Sequence, residues 1–121
     1  MPIKIPDFDD MLELASKIRE LTARKILLDV KIKFSEAEIT KLANTDERYF
    51  VNNKPPSMTY IDTTYGYTGF NNELIPFRQE LAEVTAELEE SKLKFDVYKM
   101  QLDMYRTEAA NQRATSPLWG L

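Results

Sequence analysis

The chain has 121 residues, 16 basic and 20 acidic side chains for a net charge of −4, 43% hydrophobic content, and neither cysteine nor histidine. The missing residue types exclude disulfides, cysteine-ligated zinc or iron–sulfur centres, thiolate nucleophiles, histidine triads and zinc-hydrolase sites. The apolar content is that of a folded chain, the length suits one domain, and no cofactor is expected.

Residues 1–6, Met1-Pro2-Ile3-Lys4-Ile5-Pro6, lack the apolar core of a secretory signal. No run approaches the roughly 18–20 apolar residues of a membrane span, so the expectation is a cytoplasmic protein with no membrane partner. Ile3 and Ile5 around Lys4 read as an extended arm, lying across the bundle or pairing with another chain.

A helix is predicted over about 7–44. Asp7 with Asp9 and Asp10 reads as a cap and acidic first turn that complements the helix dipole. Capping explains these carboxylates without a metal, and they lack the glycine and closing glutamate of a calcium loop. Met11, Leu14, Ile18, Leu21, Leu28, Ile32, Ile39 and Leu42 then follow a three–four spacing, interrupted by Lys25 and Ser35.

Residues 45–72 are far longer than the roughly 2–8 that usually join antiparallel helices. Tyr49-Phe50-Val51 and Met58-Thr59-Tyr60-Ile61 are β-prone runs separated by Asn52-Asn53-Lys54-Pro55-Pro56-Ser57, a composition that suits a hairpin with a wide turn. Tyr65-Gly66-Tyr67-Thr68-Gly69 reads as the turn back to the next helix. Tyrosine offers large amphipathic contact area at low entropy cost, so Tyr49, Phe50, Tyr60, Tyr65 and Tyr67 are candidate contact residues. The competing reading is that these rings close the end of the bundle.

A second helix is predicted over about 73–113, with Asn71 and Asn72 as caps and Pro76 in its first turn. Phe70, Leu74, Phe77, Leu81, Val84, Leu88, Ser91, Phe95, Tyr98, Leu102, Tyr105 and Ala109 alternate by four and three, with Ser91 the one polar member. The apolar tail 114–121, with Trp119, is a further candidate contact that docks into a neighbour or covers its own helices.

Two helices of this length, each roughly 55–60 Å, predict an all-α fold: a single elongated antiparallel hairpin domain over 1–121, coiled-coil-like and packing into an oligomeric bundle. Residues 73–90 carry Glu73, Glu80, Glu83, Glu87, Glu89 and Glu90 against the single Arg78, while the first helix offers Lys25, Lys31, Lys33 and Lys41. Opposite signs beside an apolar seam favour that pairing.

Each helix also carries a second apolar row: Ala23, Leu27, Val30, Phe34 and Ala37 on the first, and Leu93, Val97, Met100 and Met104 on the second. A helix with two apolar faces packs against more than one neighbour, which points to self-association; the alternative is that the tails fold over the rows. The expected function is a non-enzymatic oligomeric scaffold, assembly or protein-interaction protein, partnered by itself and by other proteins.

The layout of two long helices joined by a β-prone connection resembles the subunits of prefoldin. That resemblance implies a holdase chaperone with apolar residues such as Phe8, Met11, Leu12 and Trp119 at the free helix ends. A third reading is a phage-type accessory protein for single-stranded nucleic acid and recombination, using Lys17, Arg19, Arg24, Arg106 and Arg113. The net negative charge weighs against nucleic acid.

Overall fold

The computed structural model describes residues 7–114. It is all-α: α1 spans Phe8–Thr45, a short α2 spans Met58–Thr64 and α3 spans Ile75–Ala114, with a single 3-10 turn at Glu47–Tyr49. No helix among the described residues is long and apolar enough to cross a membrane.

The two long helices start and stop for local reasons. The Asp7 carboxylate accepts a hydrogen bond from the Asp9 N–H at 2.9 Å, and its carbonyl accepts from the Met11 N–H, so Asp7 caps α1 as expected. Asp9 and Asp10 lie in the positive first turn. At the other end Asp46 accepts from the Arg48 N–H at 3.0 Å and turns the chain into the 3-10 segment.

The start of α3 differs from expectation. Asn71 and Asn72 do not cap it; Asn72 takes a left-handed φ of 60°, and the first i→i+4 bond runs from the Arg78 N–H to the Leu74 carbonyl. Pro76 does fall in the first turn, where its missing N–H costs nothing.

The described chain divides into two compact units. In the unit of residues 22–86, Leu28, Ile32, Ile39 and Ala43 of α1, Ile61 of α2, and Leu74 and Val84 of α3 are buried. Arg24 pairs with Glu80 and Lys31 lies over the Phe77 ring, so the helices run antiparallel here. Ala43, rather than the expected Leu42, ends the buried row of α1, because that row continues four residues beyond Ile39 instead of three.

The other unit pairs residues up to 21 with those from 87 onward. Leu21, Leu88 and Ser91 are buried there, and Met11, Leu14, Ile18, Phe95, Tyr98, Leu102 and Ala109 are half-buried. Lys17 binds Glu87 across the two helices at 3.2 Å. Among the described residues, Ser91 is the one polar side chain buried in this row.

Charge complementarity beside the apolar rows is present; Glu80 and Glu87 take part as expected, but with bases other than the expected lysines. Lys17–Glu87, Arg24–Glu80 and Arg78–Glu36 form cross-helix pairs, whereas Lys31 sits over an aromatic ring and Glu73 caps a turn. Lys17–Glu87 and Arg24–Glu80 are about half-exposed and worth at most about 1 kcal/mol each, so they set register more than stability, whereas Arg78 is half-buried.

Burial separates the two faces of α3 sharply. Leu88→Ala should cost about 2–4 kcal/mol in urea denaturation, whereas the exposed Leu93→Ala should cost less than about 0.5 kcal/mol. Equal losses would contradict this assignment of faces.

Candidate functional site

The connection between α1 and α3 contains no strand among the described residues. Val51 and Lys54 form an isolated antiparallel bridge around Asn52 and Asn53, whose φ values of 53° and 64° make the tight two-residue turn that asparagine tolerates. The run Met58-Thr59-Tyr60-Ile61, expected as the returning strand, is instead the start of α2. Pro55 and Pro56 hold the approach extended, and the Ser57 hydroxyl accepts from the Tyr60 N–H at 3.2 Å. That cap lets a β-prone run become one short helix whose Ile61 is buried.

Arg78 ties this segment to the long helices. Its Nη2 donates to Glu36 Oε1 and to the Gly66 carbonyl, both at 2.7 Å, and its Nε donates to the Tyr67 carbonyl at 2.7 Å. The guanidinium also lies 4.8 Å from the centre of the Tyr67 ring. A planar fork with several donors is the one side chain able to satisfy a carboxylate and two carbonyls together. Lys33, Glu36, Thr40, Asp62, Tyr67 and Arg78 thereby line an open groove beside α1.

The turn after α2 depends on Gly69 and Glu73. The Glu73 carboxylate accepts from the Asn71 N–H at 2.7 Å and the Phe70 N–H at 3.1 Å. Gly69 has φ +84°, and a Cβ there would lie 2.4 Å from the Glu73 carboxyl carbon. Partial desolvation pushes the Glu73 carboxyl up, but the backbone N–H groups of Asn71, Glu73 and Phe70 together outweigh it and hold the group below its ordinary value.

The candidate aromatic residues fall into two groups. Tyr49 stacks on Phe70 at 4.2 Å, and Tyr65 meets Phe70 at 4.7 Å, Tyr49 at 5.9 Å and Tyr60 at 6.3 Å. Desolvation, then the neighbouring Tyr60 and Tyr49 hydroxyls, push the Tyr65 hydroxyl up. Tyr49, Phe50 and Tyr65 are half-buried, so much of their area is engaged within the chain; Tyr60 and Tyr67 remain exposed. Trp119 lies outside the described residues.

The second apolar rows are open. Within residues 22–86, Leu27, Val30 and Phe34 are 58–66% exposed on the side of α1 away from its buried row, with Ala23, Ile26 and Ala37 beside them. Within the other unit, Leu93, Val97, Met100 and Met104 are 52–66% exposed on α3. Contiguous apolar rows of this kind on two helices are what protein contact surfaces are made of. No protein family matches the sequence, and no curated protein or solved structure is significantly similar to it.

Arg78 is the single base in an acidic stretch, and Glu73, expected to face the lysines of α1, instead accepts from the turn before α3. Arg78→Met should lose about 2–3 kcal/mol in urea denaturation, because a charged donor leaves two carbonyls and a carboxylate behind, and Arg78→Lys should restore less than half of that. Glu73 binds its proton more weakly folded than unfolded. Its contribution is therefore fully present above the ordinary glutamate range and lost as pH falls through its lowered pKa. The stability gap between wild type and Glu73→Gln should be constant above about pH 5 and close below about pH 4 in denaturation series.

Proposed function

We propose that this chain is a non-enzymatic scaffold or interaction protein that self-associates through the exposed apolar rows of its two long helices in a coiled-coil-like packing. The observation that carries the reading is the exposure of seven large apolar side chains, Leu27, Val30, Phe34, Leu93, Val97, Met100 and Met104, at helical spacing. Each is already part-covered, so further burial of one gains on the order of 1–1.5 kcal/mol. Their sum, on the order of 10 kcal/mol, is comparable with the roughly 4–15 kcal/mol that association costs, so assembly is reversible and concentration-dependent.

Tyr60 and Tyr67 are the aromatic positions best placed to add contacts with another protein, since both remain exposed. Trp119 belongs to the same proposal as an apolar tail contact. The holdase reading draws support from Phe8 and Leu12, which are exposed at the start of α1. It loses the β connection, because that segment is helical where strands were expected, and the resemblance to prefoldin then rests on the long helices alone.

Light scattering across a concentration range tests the reading. The mass should rise from monomer toward dimer or larger with increasing concentration, and Leu27→Ser with Phe34→Ser should hold it at monomer with melting unchanged within about 2 °C. A wild-type monomer at every concentration would overturn it.

A further inference from the structure

The two exposed rows differ in the sign of their edges, and this difference selects which surface meets which. Beside the α1 row lie Arg24, Lys31 and Lys33, with Glu38 as the exception toward the end. Beside the α3 row, Glu89, Asp96 and Asp103 recur every seven residues along one edge, and Glu90, Lys94 and Gln101 line the other. The acidic edge is only loosely neutralised within its own helix: Lys92 reaches Glu89 at 3.8 Å and Lys99 reaches Asp96 at 3.7 Å, while Lys94 pairs with Glu90 at 3.2 Å. Exposed pairs of this kind are weak and exchange readily. Arg24 is shared with Glu80, and Lys31 lies over Phe77, which leaves both ammonium and guanidinium groups at the surface.

The spacings also match. Ala23, Leu27, Val30 and Phe34 follow steps of four, three and four, and Leu93, Val97, Met100 and Met104 follow the same steps. Side by side in parallel, Leu27 meets Val97, Val30 meets Met100 and Phe34 meets Met104, with Glu89 opposite Arg24 and Asp96 opposite Lys31. Laid antiparallel, Phe34 meets Leu93, Val30 meets Val97 and Leu27 meets Met100, with Glu89 and Asp96 both opposite Lys33. The parallel direction sets acid against base at two positions, while the antiparallel one sets the acids against Lys33 but brings Lys31 near Lys94. Joined antiparallel, like rows instead set Lys31 against Lys31 or the Glu89–Asp96–Asp103 edge against itself.

We propose that the α1 row of one copy docks on the α3 row of a second copy, an unlike pairing selected by the basic edge of the first and the acidic edge of the second. This rests on the self-association proposed above. Because each copy carries both rows, the contact either closes as a two-fold pair or continues to further copies.

The test uses two full-length variants measured by sedimentation velocity alongside the wild type. One carries Leu27→Ser and Phe34→Ser and keeps only the α3 row; the other carries Val97→Ser and Met100→Ser and keeps only the α1 row. All four positions are exposed, so helix content should be unchanged by circular dichroism. Each variant alone should be monomeric, and an equimolar mixture should form a heterodimer.

Adding Lys31→Glu and Lys33→Glu to the variant that keeps the α1 row should weaken that heterodimer at least tenfold. Adding Glu89→Lys and Asp96→Lys to its partner should restore it, with the effect shrinking as salt rises. Self-association of either variant alone, a mixture that stays monomeric while the wild type associates, or charge reversal without rescue would overturn the unlike pairing and leave self-association standing. A monomeric wild type would instead remove the reading on which it rests.

Discussion

A helix with apolar rows on two faces cannot bury both against one neighbour, and this constraint governs the protein. The inner rows, around Leu28, Ile32 and Val84 in one unit and Leu21 and Leu88 in the other, are covered by the opposing helix. The rows centred on Val30 and Val97 are not. Leucine, valine, methionine and phenylalanine at more than half exposure carry a standing free-energy cost in water, which contact with another surface relieves. The function proposed above rests on what the fold leaves uncovered.

The long connection is ordered without strands because polar side chains at and just before the start of α3 satisfy its backbone. Arg78 supplies donors to the carbonyls of Gly66 and Tyr67, and Glu73 supplies acceptors to the N–H groups of Phe70 and Asn71. Glu73 lies two residues before α3 and Arg78 in its first turns, so neighbouring positions close the turn and begin the helix. The half-buried rings of Tyr49, Phe70 and Tyr65 then pack against one another within the segment. Tyr67 is held by its carbonyl and by the cation above its ring, which keeps its exposed face in a fixed orientation.

The long helices were legible because three–four spacing and an aspartate cap are local signals, and the bounds of α1 fall within one residue of those expected. The inner row of α3 was legible for the same reason, including Ser91, which is buried in register with its apolar neighbours. The connection was read as strands because Met58-Thr59-Tyr60-Ile61 has β propensity, yet a capping serine after two prolines decided for helix. That signal lies in Pro55-Pro56-Ser57, immediately before the β-prone run. The part played by Arg78 was not readable, since it joins positions 42 and 12 residues away in sequence that only the fold brings together. The ion pairs shifted from the expected lysines for a similar reason: charge sign is visible in a sequence, but which shoulder of a helix meets which carboxylate is set by packing.

The central claim is that the exposed rows are contact surfaces, and methionine oxidation reads this directly. Met100 and Met104 lie in the α3 row, while Met58 is comparably exposed on α2 and outside either row. Under a fixed peroxide dose, oxidation of each residue measured by mass spectrometry should follow its access to solvent. Met100 and Met104 should become several-fold slower to oxidise as protein concentration rises, while Met58 keeps its rate. Equal rates for all three at every concentration would contradict the account.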